Sequence, residues 1–365
     1  MARMSSIRVL VVDDSKVIRE IIVEALKEAH DINVVGEAAD PFEARELIKQ
    51  LNPDILTLDV EMPKMDGITF LRNLMKLRPM PVVMLSTLTT KGADITLEAL
   101  EIGAVDFIAK PSVNQIKASL NDFKTELINK IKQAAKVDQK NFKLNKSVFD
   151  KAKSNKLVFS GVKRANHLIA IGASTGGTEA IKQVLQSLPQ ISPPIVITQH
   201  IPKNFSARFA QRLDSLCTVT VQEAQHGQKV KTGNVYIAPG DQHLKMVLKN
   251  GSMFCTLEDS AEVNRHKPSV DVLFDSLVPY ADNVQAVLLT GMGQDGAKGM
   301  LNLKQNGAFT IIQDQASSLI WGMPGKAHAL SADTIQSDLS KIAFNFLHYA
   351  SLDLKGMEEV RQQYA

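Results

Sequence analysis

Two series of short, almost wholly apolar runs constrain what this chain can fold into. In the first, Ile7–Val12, Asn33–Glu37, Ile55–Leu58, Val82–Leu85 and Val105–Ala109 alternate with amphipathic stretches. One such stretch carries Ile18, Ile21, Ile22, Ala25 and Leu26, a spacing that gathers the apolar groups on one helical face. Five strand–helix units predict a doubly wound parallel sheet of the flavodoxin-like kind. The second series, Leu168–Ile171, Ile195–Thr198, Val235–Ala238, Ala286–Leu289 and Thr310–Gln313, predicts another doubly wound, mostly parallel α/β domain, with helices after Gly176, Phe205, Val270, Gly296 and Pro324. Around Lys245–Leu257 the pattern reads instead as a hairpin inserted about the Asn250-Gly251 turn.

A chain of 365 residues, 44% of them hydrophobic, is long enough for two separate cores. The expected boundaries are a first domain over 1–123, a linker over 124–164, a second domain over 165–350 and a polar tail over 351–365. The linker carries twelve Lys/Arg against three Asp/Glu, although its first part, Phe123 to Ala135, can continue a helix. With no interleaved aromatics, recognition helix or zinc ligands, this basic stretch is expected to be solvated chain and not a nucleic-acid contact. Cys217 and Cys255 have neither metal-ligand nor redox spacing and read as reduced core thiols. No apolar stretch approaches the roughly 18 residues of a membrane span, so a cytoplasmic protein without membrane insertion is expected.

In open parallel sheets, ligands gather beyond the carboxyl ends of the strands, where the strand order reverses. In the first half those ends carry Asp13 and Asp14, then Asp59, then Ser86, then Lys110. Three carboxylates at one sheet edge repel one another unless a divalent cation or solvent compensates, and magnesium suits phosphoryl transfer onto one of them. Asp59, at the strand tip, is the expected acceptor. Lys110 and Ser86 can contact the phosphoryl oxygens, because such transfer is mostly positioning and charge stabilisation. The plainer reading, in which Asp13-Asp14 caps the following helix, explains neither Asp59 nor Lys110.

In the second half, Ser174 sits in Gly172-Ala173-Ser174-Thr175-Gly176-Gly177, on a glycine turn between a buried strand and a helix. His200 and Asp295 follow two further apolar runs, which brings all three to one edge of one sheet. A serine hydroxyl needs a base, and the base needs a partner that fixes its tautomer. Gly172-x-Ser174-x-Gly176 also matches the nucleophile elbow of α/β-hydrolases, but the order here is Ser, His, Asp, which argues for convergent triad chemistry. Gly291-x-Gly293-x-x-Gly296 imitates a dinucleotide-binding loop, yet Asp295 would set a carboxylate where pyrophosphate must lie. No cofactor is expected at this site.

Val9–Ser15, Thr57–Gly67, Ser86 and Phe107-Ile108-Ala109-Lys110-Pro111 together resemble the receiver domain of two-component response regulators. That resemblance implies a phosphoacceptor at Asp59, magnesium held by Asp13, Asp14 and Asp59, and a Ser86/Phe107 pair that rearranges on phosphorylation. Gly172–Ile181, Gln199–Pro202, Ile237–His243, Arg265–Asp271 and Leu289–Gly296 are similar to the catalytic domain of CheB-type chemotaxis methylesterases. This second resemblance implies Ser174, His200 and Asp295 as triad, with Thr175 and Met292 shaping the oxyanion site. It also implies hydrolysis of glutamate methyl esters on chemoreceptors, accompanying glutamine deamidation, and a chemotaxis histidine kinase as phosphodonor. Lys267 departs from the expected pattern, in which arginine is commoner; a lysine there would make a weaker, non-bidentate contact with a carboxylate.

Overall fold

The structure, a computed structural model, describes residues 6–87, 89–111, 116–137 and 166–353, together with 157, 159, 161, 355–357 and 359. The chain forms two compact units, Met1–Asn145 and Lys146–Ala365.

In the first unit, β1 (Ile7–Val12), β2 (Ile32–Ala38), β3 (Ile55–Asp59), β4 (Val82–Ser86) and β5 (Asp106–Ala109) form one parallel sheet in the order β2-β1-β3-β4-β5. Val9 to Val12, Leu56 and Leu58 are wholly buried, as strands covered on both faces must be. The order reverses between β1 and β3, so the crevice opens beyond Val12 and Asp59. Helix α1 (Lys16–Lys27) starts at Ser15, whose side chain accepts from the Ile18 N–H, so the carboxylates before it are not its cap. Helices α2 (Pro41–Leu51) and α3 (Gly67–Leu77) are capped by Asp40 and Asp66, and α4 (Thr90–Ile102) by Thr89. The last helix, α5 (Ile116–Ala134), continues through Phe123 into the basic stretch. Residues 138–156 of that stretch, and most of 354–365, lie outside the described residues.

The second unit is built on a seven-stranded parallel sheet. Its strands are β6 (Leu168–Ala173), β7 (Ile195–Gln199), β8 (Thr220–Glu223), β9 (Asn234–Ile237), β12 (Val284–Leu288), β13 (Phe309–Gln313) and β14 (Ile335–Ser337), in the order β14-β13-β12-β6-β7-β9-β8. The hairpin β10 (His243–Lys249) and β11 (Ser252–Glu258) stands apart as its own antiparallel pair. Its two turn residues, Asn250 and Gly251, both have positive φ, the backbone that favours Asn-Gly in two-residue hairpins. Helices α6 (Gly177–Gln186), α7 (Lys203–Leu216), α8 (Val270–Leu277), α9 (Ala297–Gln305), α10 (Met323–Ala329) and α11 (Leu339–Ser351) complete the layers. β6 lies at the centre with β12 and β7 beside it; Ser174 and His200 directly follow β6 and β7, and Asp295 stands in the segment between β12 and α9. The edge strands β8 and β14 were not anticipated: they are four and three residues long and only half-buried, too short for a period-two pattern to show.

Candidate active site

Ser174 is fixed first by its own backbone. Its N–H donates to the Thr290 carbonyl at 3.1 Å, which ties the end of β6 to the segment after β12, and its carbonyl accepts from Gly177 N–H at 2.7 Å and Gln199 Nε2 at 3.0 Å. Gly176, at the N-cap of α6, has φ +76°, a conformation glycine adopts without a Cβ penalty. Gly291 passes so close that a Cβ there would lie 2.9 Å from Ser174 Cβ.

Strand register then supplies the base. Ala173 pairs with Gln199, so Ser174 and His200 are the next residues along two adjacent strands, and His200 N–H donates to the Ala173 carbonyl at 3.1 Å. Ser174 Oγ lies 3.1 Å from His200 Nδ1, and His200 Nε2 lies 2.8 Å from Asp295 Oδ2. A carboxylate only accepts, so the Nε2 proton belongs on that side and Nδ1 presents its lone pair to the serine hydroxyl, which donates. This is the reverse of the common arrangement, in which Nε2 faces the serine.

Asp295 is 1% exposed and fully partnered. Its Oδ2 also accepts from the Val270 N–H at 2.6 Å, while Oδ1 accepts from Asn264 Nδ2 and Ser269 Oγ, each at 2.7 Å, and from the Asp271 N–H at 3.2 Å. Burial alone would push this carboxyl up, but His200, Asn264 and the Val270 N–H outweigh it and hold the group well below the usual carboxylate range. α9 starts from Gly296 with no side-chain cap, and the Asp295 carboxylate, which faces His200, accepts instead from the first two N–H groups of α8. Asp271, behind it, accepts from the Gly299 N–H and Asn264, and burial pushes its carboxyl up.

Reasoning from sequence missed Asn264 altogether, and gave Gln199, His266 and Ser269 no role although they stand in the segments that carry the resemblance. Val263 and His266 exchange two backbone hydrogen bonds around Asn264 and Arg265, both at positive φ. That turn stacks the His266 ring on His200, with centroids 3.6 Å apart and planes 14° off parallel. Two consecutive non-glycine residues in the left-handed region leave no apolar period; the one available signal was Asn264, a residue type that tolerates that region. Of the expected oxyanion pair, Thr175 is buried directly after Ser174 and its carbonyl accepts from Thr290 Oγ1 at 3.1 Å; Met292 follows Gly291, half-buried. Lys267 pairs with Asp259 at 2.7 Å.

In the first unit, Asp13, Asp14 and Asp59 bring carboxylate oxygens within 4.8 Å of one another. Lys110 Nζ bridges two of them, 2.8 Å from Asp13 Oδ2 and 2.7 Å from Asp59 Oδ1. Burial, against the pull of Lys110 and with a push from Asp13, raises the Asp59 carboxyl to about 6. Its second oxygen, Oδ2, is buried without a hydrogen-bond donor. An all-oxygen set with one bare carboxylate oxygen fits a hard divalent cation. Ser86 does not join this cluster through its hydroxyl, which lies 2.7 Å from Thr96 Oγ1 and 3.3 Å from the Gly92 carbonyl on α4. Phe107 is buried, and Lys130 Nζ lies 5.2 Å from its ring centre.

Fold and sites together define a receiver unit followed on the same chain by a hydrolase unit. The response regulator receiver domain profile matches residues 9–121, and the CheB methylesterase profile matches residues 169–345. The protein-glutamate methylesterase/protein-glutamine glutaminase of Hydrogenovibrio crunogenus is 49% identical over 90% of this chain and 95% of its own length. A protein of the same name in Hahella chejuensis is 50% identical over 92% of this chain and 94% of its own. The solved Thermotoga maritima CheB methylesterase catalytic domain is 37% identical, covering 52% of this chain and 98% of that one, with a TM-score of 0.49. The chain belongs to the CheB methylesterase family, and with its relatives it is a carboxylic ester hydrolase joined to a receiver domain. Among the described residues no helix is long and apolar enough to cross a membrane.

Proposed function

We infer that the chain removes methyl groups from glutamate γ-esters on chemoreceptors, releasing methanol, and deamidates receptor glutamines with the same residues. The observation that carries this reading is the continuous chain Ser174 Oγ, His200 Nδ1, His200 Nε2, Asp295 Oδ2, joined at 3.1 and 2.8 Å. Ser174 attacks the γ-carbonyl while His200 Nδ1 takes its proton, and Asp295 stabilises the imidazolium that results. Backbone N–H groups around Thr175 and Met292 stabilise the oxyanion, a contribution of about 3–4 kcal/mol per donor in comparable sites. His200 returns the proton to the departing methoxide, or in deamidation to the departing amide nitrogen, which leaves as ammonia. It then takes a proton from water as the water oxygen attacks the acyl-serine, and gives that proton to Ser174 Oγ as the C–Oγ bond breaks and the glutamate is released. Ser174→Ala removes the nucleophile alone, so methanol release from methylated receptor membranes should vanish while Asp59 still accepts phosphate; retained turnover would refute the assignment.

The receiver unit governs this activity. Asp59 accepts phosphate from a chemotaxis histidine kinase, and Lys110 neutralises the acceptor carboxylate and then the phosphoryl oxygens. Asp13, Asp14 and Asp59 would hold magnesium, which when bound neutralises phosphoryl charge. Ser86 and Phe107 act as the switch pair: the hydroxyl now held at α4 must turn toward the acceptor to contact a phosphoryl oxygen. We take 1–123 as receiver, 124–164 as linker, 165–350 as catalytic domain and 351–365 as tail, in a cytoplasmic protein.

A further inference from the structure

Five donors hold Asp295, and four of them come from the short stretch between Asn264 and Asp271. Only one of those four is shared with a second carboxylate. Asn264 Nδ2 lies 2.7 Å from Asp295 Oδ1 and 2.7 Å from Asp271 Oδ2. A primary amide carries two hydrogens on that nitrogen, so one can go to each acid. Both carboxylates are buried, at 1% and 6% exposure, so water does not separate their charges. The same four-residue turn places His266 flat against the face of His200. One loop therefore touches both members of the His200–Asp295 pair.

We propose that Asn264 is a positioning residue for the hydrolase site, its amide holding the Asp295 carboxylate in the orientation that keeps the Nε2 proton of His200 aimed at the acid and the Nδ1 lone pair aimed at the serine. The inference rests on the functional reading above and extends it to a residue that touches no reacting atom. Asp295 must offer Oδ2 to His200 and the Val270 N–H while turning Oδ1 away, and the donors on Oδ1 set that rotation. Ser269 and the Asp271 N–H approach Oδ1 from α8, whereas Asn264 approaches from the loop, so losing it leaves the carboxylate held from one side. It also leaves Asp271 and Asp295 facing each other with no proton donor between them. The backbone explains why the residue is asparagine: φ is +54° here, a region Asn enters far more readily than most side chains.

The test uses the full-length chain on methylated receptor membranes. Asn264→Gly keeps access to the left-handed backbone and removes the amide, so the turn is not the variable; Asn264→Asp keeps the side-chain shape but puts a third acid among the two. Both should lower kcat by at least about tenfold, the scale set by small misplacements of catalytic groups, with KM within about twofold, and N264D should be the worse at neutral pH. Phosphonylation of Ser174 by a small fluorophosphonate, which needs the activated hydroxyl but no receptor docking, should slow by the same factor. Wild-type kcat and labelling in N264G would overturn the proposal, as would a loss confined to KM. A fall in thermal midpoint with kcat intact would reduce Asn264 to a merely structural residue and overturn it equally. Retained turnover in Ser174→Ala would instead sink the underlying reading.

Discussion

Replacing Asp295 with Asn changes one atom in the site, and the hydrogen bonds around that atom decide which way the new amide turns. Oδ1 receives three donors and Oδ2 two, including the Val270 N–H at 2.6 Å. The new amide will therefore keep its oxygen in the Oδ1 place and its NH2 in the Oδ2 place, because the opposite flip would oppose three donors instead of two. In that orientation the NH2 donates to His200 Nε2, so the imidazole proton moves to Nδ1, where it points at Ser174. The ring can then no longer accept the hydroxyl proton. The same tautomer error in a comparable triad lowers kcat by about 10⁴, which corresponds to about 5.4 kcal/mol in the barrier. KM should change little, since no substrate contact is lost. The unpaired Val270 N–H costs about 1–3 kcal/mol of folding stability, partly offset by removing a buried charge. Methanol release measured against the Ser174→Ala floor, with thermal melts in parallel, tests both numbers. A D295N enzyme within tenfold of wild-type kcat would show that Asp295 does not set the tautomer.

Asp59, with its carboxyl raised to about 6, binds a proton in the folded protein that the unfolded chain releases near 3.9, so this contribution to stability is complete below about pH 3.9 and lost as pH rises through 6. In EDTA-treated protein at pH 8, Asp59→Asn should therefore stabilise the first unit by up to about 3 kcal/mol, with the gain shrinking toward pH 4; an equal gain in melting temperature at both pH values would count against a buried, raised carboxyl. Gly291→Ala should destabilise the second unit by about 1–3 kcal/mol, as overpacking does, and lower kcat, because the new methyl meets Ser174 Cβ at 2.9 Å; unchanged melting and turnover would show that the two segments part freely.

The three reactive side chains were legible because each follows an apolar run, Ser174 and His200 directly and Asp295 after the glycine-rich segment beyond β12. Runs such as Leu168–Ile171 are buried on both faces, so their ends are where polar chemistry can begin, and glycines mark where backbones must pass closely. The acids of the receiver unit were legible for the same reason, and the reversal of strand order at β1 and β3 brings Asp13 and Asp59 together. Features that depend on local backbone rather than period could not be read. Asn264 reaches two acids from a turn with no hydrophobic pattern, and two of the donors to Asp295 are backbone N–H groups, which no residue type announces. The direction of the Ser86 hydroxyl was hidden too, because it is set by Thr96, ten residues along on α4.

The inverted imidazole is a consequence of the sheet itself. Ser174 and His200 extend adjacent parallel strands by one residue each past the Ala173–Gln199 pair, so their backbones are separated by about one strand spacing, roughly 4.8 Å. At that separation the ring nitrogen nearer the main chain, Nδ1, is the one that can meet Oγ at 3.1 Å; a ring reaching out with Nε2 would overshoot a serine so close beside it. The acid must then lie at the far end of the ring, and the segment after β12 supplies it from the other side of β6. A triad built on neighbouring strands of a parallel sheet thus sets the ring's direction through register before any side-chain preference acts. This is why the residues that hold Asp295 from behind and brace His200 come from outside the sheet, in the loop and helix start between Val263 and Asp271, which supply four of the five donors to Asp295 and the ring stacked on His200.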